Sequence, residues 1–372
     1  MNIFINGNSL KAFTSGTPQR GLIKAFIDQN AKNSYHIQVS PDEESNKLSS
    51  FWDELNKYSN VTIEFIKQSQ RNINIKKLIG LKKYQKWPSG YDLYLSPGMP
   101  ENFAGIKAPA ISTVADISSI KMPGSSSLKW HGNRIFKNTL DHAIKNNTKI
   151  GAISEFTKDE LSERYPYYKN KFFTIPNGID DMWFNNIYEK NTITEHFKNK
   201  RYFVWWGFGS NRKNLERLLT AYSLVKERNR ELSELLLIGK ISEDLNNVSE
   251  LIDKYKYIHI IPFQPLGILK ELVRNSSGLL FPSLYEGFGL PIIETYSQGR
   301  PVLYGSVTSM PEIAASFGIP VDPYDTGSIM EGLNKMDDFV IDRIYEDQVK
   351  SYANNFTYSK ASEKLSLVLN SL

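Results

Sequence analysis

Along the chain, short apolar runs alternate with stretches whose apolar residues recur at helical spacing. Runs at Asn2–Asn6 and Tyr35–Val39 flank the amphipathic stretch Gly21–Gln29. Further runs occupy Val61–Ile66, Tyr91–Ser96, Ala110–Val114, Ile150–Ser154 and Phe172–Ile175, and the turn residues Pro176-Asn177-Gly178 close the series. The polar stretch 185–200 carries no strong strand signal. The alternation then restarts with a run at Tyr202–Trp206, followed by Leu215, Leu218, Leu219, Tyr222 and Val225 at helical spacing. Runs at Leu235–Ile238, Ile258–Ile261, Leu279–Pro282 and Val302–Tyr304 complete it. Apolar strands separated by helices require parallel sheets covered on both faces. The pattern predicts an α/β protein of two doubly wound, Rossmann-like domains, 1–184 and 201–355, with 185–200 as the linker and 356–372 as a final helix. Ligands are expected at the carboxyl ends of the strands.

The 372 residues suffice for two full cores at roughly 150 residues per domain. Composition is that of an ordinary globular protein and excludes collagen-like, disordered and low-complexity scaffolds. With no cysteine, thiolate metal sites, disulfides and a cysteine nucleophile are excluded, and the five histidines are dispersed. Residues 1–10 lack a cationic segment leading into an apolar run, and no 18 consecutive residues are apolar. The expectation is a cytoplasmic protein, neither secreted nor membrane-spanning.

Residues 1–150 hold 20 Lys+Arg against 11 Asp+Glu, whereas residues 151–372 hold 25 against 29. This asymmetry suggests an anionic partner for the first half: nucleic acid, a phosphorylated ligand or an acidic membrane surface. Within 67–87, Lys67, Arg71, Lys76, Lys77, Lys82, Lys83 and Lys86 interleave with Ile75, Leu78, Ile79, Leu81, Tyr84 and Trp87. Such a segment suits an anionic interface, or is a surface helix whose apolar stripe is core. No recognised nucleic-acid module is present, so nucleic acid is not expected as a partner.

Chemistry concentrates in Ser283-Leu-Tyr-Glu286-Gly287-Phe288-Gly289-Leu290-Pro291-Ile-Ile-Glu294, which follows an apolar strand and opens a helix. Pro291 suits a first helical turn, and glycines at 287 and 289 let backbone approach a ligand. N–H groups at Gly289 and Leu290, at the positive end of a helix, form a ready phosphate site. Glu286 and Glu294 can both aim acceptors at one cleft, where vicinal hydroxyls of a sugar or ribose would be suitable partners. Beyond the strand ending at Trp206, Gly207-Phe-Gly209-Ser-Asn-Arg212-Lys213-Asn214 again reads as a turn before a helix. Its Arg supplies a fork for phosphate oxygens and its Lys a point charge.

Together these segments resemble family 4 of the nucleotide-sugar-dependent glycosyltransferases, which have the GT-B fold of two Rossmann-like domains with a cleft between them. The Glu286–Glu294 spacing, Arg212-Lys213-Asn214 and Ile175-Pro-Asn-Gly-Ile179 carry most of the likeness; Asn6–Leu10, Ser154–Thr157, Met310-Pro-Glu312 and Phe356–Ala361 add to it. The resemblance implies that Arg212 and Lys213 bind the donor diphosphate with help from the N–H groups of 287–290, and that Glu294 accepts from the ribose. It also implies that Glu286 holds the donor sugar near its reacting carbon, that Asp116 orients the acceptor, and that the last helix returns to the first domain. Gly16 would let a loop approach the donor, and Phe263, beside a strand end, would meet the base. No cofactor or metal is expected.

By the same resemblance the reaction would be retaining transfer from a nucleoside diphosphate sugar to a glycan or lipid-linked acceptor, in bacterial surface-polysaccharide synthesis. The alternative is a GT-B protein that binds without turnover. Two departures stand out: the family's histidine before the acidic residue is Ala115 here, and the amino-terminal glycine-rich loop reads Thr14-Ser-Gly16-Thr-Pro18-Gln-Arg20-Gly21. The resemblance implies that this histidine would lie near the donor sugar's C6 hydroxyl; a methyl group at 115 leaves that hydroxyl without a partner and tolerates a C6 methyl, so a 6-deoxyhexose donor is expected.

Overall fold

The computed structural model describes residues 1–10, 17–40, 48–66, 78–79, 87–122, 130–241, 252 and 255–372. Two compact units divide it: residues 1–178 with 357–372, and residues 179–356.

The first unit carries a seven-stranded sheet of β1 (Asn2–Asn6), β2 (Ser34–Val39), β3 (Val61–Phe65), β4 (Leu93–Ser96), β5 (Ala110–Val114), β6 (Lys149–Ala152) and β7 (Phe172–Thr174). Their order is β3-β2-β1-β4-β5-β6-β7 and every pairing is parallel. The inner strands β4 and β5 are buried at every residue, as helices on both faces demand, while the edge strand β3 exposes Thr62, Glu64 and Phe65. The helix Tyr358–Leu369, capped by Thr357, packs against the helix Thr17–Gln29 and buries Ala361 and Leu365 in this unit's core. Hydrogen bonds from Gln29 to Ser359 and from Asn30 to Ser366 tie the pair. Gly21 lies inside the helix Thr17–Gln29, not in a ligand loop, and a Cβ there would overlap the Tyr358 ring. Its lack of a side chain serves helix packing.

The second unit has a six-stranded sheet of β8 (Tyr202–Gly209), β9 (Glu234–Ile241), β10 (Ile258–Ile261), β11 (Gly278–Phe281), β12 (Val302–Gly305) and β13 (Ile319–Val321), ordered β10-β9-β8-β11-β12-β13 and parallel throughout. Counted within the unit this is the Rossmann order 3-2-1-4-5-6, whose direction reverses between β8 and β11. The loops leaving those two strands are Ser210–Asn214 and Pro282–Gly289, so both chemistry-bearing segments open at the point where such folds bind ligands.

Three expectations need correction. The first unit ends at Gly178, and 185–200 is part of the second unit rather than a linker. Asn191 forms a capping box on the helix Thr192–Phe197, and Phe197 is buried against Tyr202 and His259. Gly207 and Gly209 belong to β8, which pairs with β9 to its end, so the turn begins only at Ser210. The third concerns 67–87: Trp87 is buried against Phe4 and Phe103, its indole N–H donating to the Asn102 carbonyl, and so it faces core rather than an interface. Of the other residues named in that segment, only Leu78 and Ile79 lie within the described residues, Ile79 being exposed. Among the described residues no helix is long and apolar enough to cross a membrane.

Candidate functional site in the second unit

The turn after β8 is built by Asn214, whose backbone takes the left-handed conformation (φ 57°) between the short helical turn Asn211–Lys213 and the helix Leu215–Arg228. Asparagine tolerates this region because its short amide can bond locally. Here the Asn214 amide donates to the carbonyls of Pro282 and Pro323 at 3.0 and 2.7 Å, and Arg217 donates to Asn214 Oδ1 at 2.7 Å. The Leu284 N–H also bonds the Arg212 carbonyl at 2.8 Å. These ties hold the β8 turn against the loop that leaves β11.

The tie brings Lys213 to Glu286. The Lys213 ammonium donates to Glu286 Oε1 at 2.7 Å, and the Arg212 guanidinium stands 4.0 Å from Oε2. Lys213 also lies over the Phe281 ring, 4.6 Å from its centre. Burial alone would push the Glu286 carboxyl up, but the charges of Lys213 and Arg212 outweigh it and hold the group below its ordinary value. Its backbone is fixed too: the Glu286 N–H donates to Thr308 Oγ1, and the Ser309 hydroxyl donates to the carbonyls of Glu286 and Phe288.

Gly289 adopts φ 96° at the start of the helix Leu290–Ser297, a left-handed conformation that favours glycine, and no side chain caps that end. The positive end of the helix thus opens beside the two cations. Phe288, expected among the ligand contacts, buries its ring against Phe356, so only its backbone is available to a ligand.

One turn into that helix, Glu294 Oε2 accepts from the Trp206 indole at 3.2 Å. Trp206 is stacked by Trp183, ring centres 6.3 Å apart. Burial pushes the Glu294 carboxyl up to about 7; the Asp180 charge acts in the same direction, against the Trp206 N–H and the Lys213 charge. The two glutamates of one segment are therefore held in opposite states: Glu286 ionised, Glu294 poised near neutrality.

Phe263, just past β10, is 71% exposed, while Gln264 beside it is buried and engaged by Asn191. Asp116 belongs to the first unit, where its carboxylate accepts from Ser118 at the start of the short helix Ser118–Lys121. Ala115 is half-buried beyond the end of β5. Gly16 lies outside the described residues. Among the described residues no cluster of three or more histidine or carboxylate groups is placed to hold a metal ion.

Sequence reasoning missed Trp183, Trp206, Asp180 and the Thr308–Ser309 pair. Signals existed beside motifs already singled out: Thr308-Ser309 immediately precedes Met310-Pro-Glu312, and Asp180 follows Ile175–Ile179.

Residues 187–356 match the family model described as glycosyl transferases group 1. The chain is 26% identical over 232 residues to the O-antigen chain mannosyltransferase B of Escherichia coli, covering 59% of each chain. It is 23% identical over 232 residues to the O-antigen chain mannosyltransferase RfbU of Salmonella typhimurium, covering 60% of each. Its match thus spans about 60% of the length of these relatives. Among solved structures, the Anabaena protein HepE, in complex with UDP and glucose, superposes with a TM-score of 0.68 at 13% identity, covering 100% of this chain and 99% of that one. At that identity the likeness speaks for the fold, which is GT-B.

Proposed function

We propose, from the match of residues 187–356 to the glycosyl transferases group 1 model and from the GT-B fold, a retaining hexosyltransferase. It takes a sugar from a nucleoside diphosphate to a glycan or lipid-linked acceptor in bacterial surface-polysaccharide synthesis. The observation that carries the reading is the meeting of Arg212 and Lys213 with Glu286 beside the uncapped helix start at Gly289.

A diphosphate entering there gains two fixed cations and a helix dipole. Both favour the negative charge that builds on the leaving group as the glycosidic bond breaks, so the protein's own groups take the part a divalent metal plays elsewhere. Arg212 and Lys213 need little reorganisation, because the Asn214 and Leu284 bonds already hold their turn at the switch point. Glu286, ionised and pinned by Thr308 and Ser309, accepts from the donor sugar's hydroxyls near its reacting carbon. Glu294, one turn on, accepts from the ribose. The exposed Phe263 ring offers the base an apolar face.

The donor sugar is the open specificity. The methyl group of Ala115 supports a 6-deoxyhexose, whereas the relatives' names support a mannosyl donor with its free C6 hydroxyl. Ala115 also favours the second reading, binding without turnover, because a methyl group has no acid-base capacity. Incubating the protein with a panel of nucleotide sugars and following nucleoside diphosphate release, with and without lipid-linked glycan, separates the two: release supports transfer, and saturable binding without release supports the alternative. The basic stretch 67–86 is proposed to meet an anionic membrane surface, and flotation with acidic liposomes at low and high salt tests it.

A further inference from the structure

Lys270 is an ionisable group that the site does not touch. It sits in the helix Leu266–Arg274 with 0% exposure, and its ammonium reaches four oxygens, all neutral: the carbonyls of Met182, Asn185 and Ile187 and the Asn185 side-chain oxygen. It also lies 4.8 Å from the centre of the Tyr188 ring. Burial lowers its pKa. The Asp180 charge opposes that shift, but none of the four oxygens belongs to a carboxylate, so the buried cation costs stability, and an apolar side chain of the same length would fill the space. What the ammonium adds is a fixed geometry for one short segment, 182–188.

That segment contains Trp183. Its ring is 3% exposed and stacks on Trp206, whose indole N–H bonds Glu294. Its carbonyl accepts from Gln298, at the end of the helix that carries Glu294, at 2.6 Å. The Glu189 N–H donates to the Gly267 carbonyl, and a Cβ at Gly267 would overlap the Glu189 side chain, so the same helix grips the segment a second time beyond Tyr188. A continuous set of contacts therefore runs from Lys270 through 182–188 to Trp183, Trp206 and Glu294.

We propose that Lys270 is a positioning residue: by clamping 182–188 it sets the Trp183–Trp206 stack and thereby the orientation of Glu294 at the ribose end of the donor site. The inference rests on the donor-binding reading for its functional consequence. Its structural part, the coupling of Lys270 to Glu294, stands without any ligand.

The test uses Lys270→Met, which keeps length and removes the ammonium, and Asn185→Ala, which removes a single acceptor and serves if Lys270→Met does not fold. Free nucleoside diphosphate is titrated into each by calorimetry. Tryptophan fluorescence is followed against pH without ligand, the Glu294 component being identified as the part lost in Glu294→Gln. The expected result is a dissociation constant raised about tenfold in Lys270→Met, with little further loss when Glu294→Gln is added. The fluorescence midpoint should also move from its wild-type position near 7. A folded variant that is merely less stable, with wild-type affinity and midpoint, overturns the proposal. Should wild type bind no nucleoside diphosphate, the donor reading fails; the Lys270 coupling is then sustained by a midpoint that moves in Asn185→Ala as well as in Lys270→Met, and is overturned by one that moves in neither or only in Lys270→Met, where the lost charge acts on Glu294 through Asp180.

Discussion

Lys213 and Glu286 lie 73 positions apart in the chain and meet at 2.7 Å, so the cation proposed for the donor phosphates is already engaged by the carboxylate proposed for the donor sugar. The pair works for stability as well as binding. Glu286 is buried, and removing its cation leaves an uncompensated charge.

Lys213→Met should therefore do two things at once. Truncating one partner of a buried pair costs about 3 kcal/mol, and losing a charge-assisted phosphate contact weakens donor binding by about tenfold or more. Urea unfolding and calorimetric titration measure the two separately. Unchanged urea midpoints would mean that Glu286 finds another counter-charge.

The sequence alone marks Arg212 and Lys213 only as ligand cations, because the pairing with Glu286 depends on β8 and β11 being neighbours across the reversal of strand order. Strand placement was readable in short runs rich in β-branched residues: Asn2–Asn6, Ala110–Val114 and Ile258–Ile261 fall at their expected bounds. β13 escaped because it is three residues, Ile-Pro-Val, on a sheet edge, where proline is tolerated and periodicity has no length to show. The stretch 185–200 read as a linker because its one helix is six residues long and is specified by the Asn191 cap, not by an apolar stripe. Trp206 was legible as strand, but its bond to Glu294 required knowing which face of β8 the helix Leu290–Ser297 covers.

The two glutamates give opposite pH signatures. Glu286 is held below its ordinary value, so its contribution is present above the unfolded carboxyl range and is lost as pH falls through its folded pKa. Glu294 is raised from 4.5 to about 7, so the folded state binds the extra proton and stability declines as pH rises through that window. Glu294→Gln should flatten the decline between about pH 5 and 7, read as the urea midpoint across pH. A variant whose midpoints fall with pH as steeply as those of wild type would contradict the raised carboxyl.

Gly289→Ala places a side chain at φ 96°, where a Cβ is strained and would stand 3.2 Å from Ile292 Cδ1. The expected cost is about 1–2 kcal/mol of stability together with weaker nucleoside diphosphate binding, because the helix start must shift. Thermal melts with and without ligand measure both, and a variant whose ligand-induced rise in Tm equals that of wild type would remove the helix start from the phosphate site.

Ala115 bears on the donor sugar. Wild type should turn over a 6-deoxyhexose donor in preference to its counterpart bearing a C6 hydroxyl, and Ala115→His should reverse the order. Competition between the two nucleotide sugars, read by mass spectrometry of the product, decides. Strong wild-type preference for the C6 hydroxyl would contradict the 6-deoxyhexose donor.

Calorimetric titration of free nucleoside diphosphate into three proteins tests most directly whether Arg212 and Lys213 form a diphosphate site at the end of β8. Wild type should bind, Arg212→Ala/Lys213→Ala should lose at least about tenfold in affinity, and Glu286→Gln, which removes the charge of the carboxylate that Lys213 bonds, should bind as tightly as wild type or more so. Wild-type affinity in the double variant, or a large loss in Glu286→Gln, would contradict it.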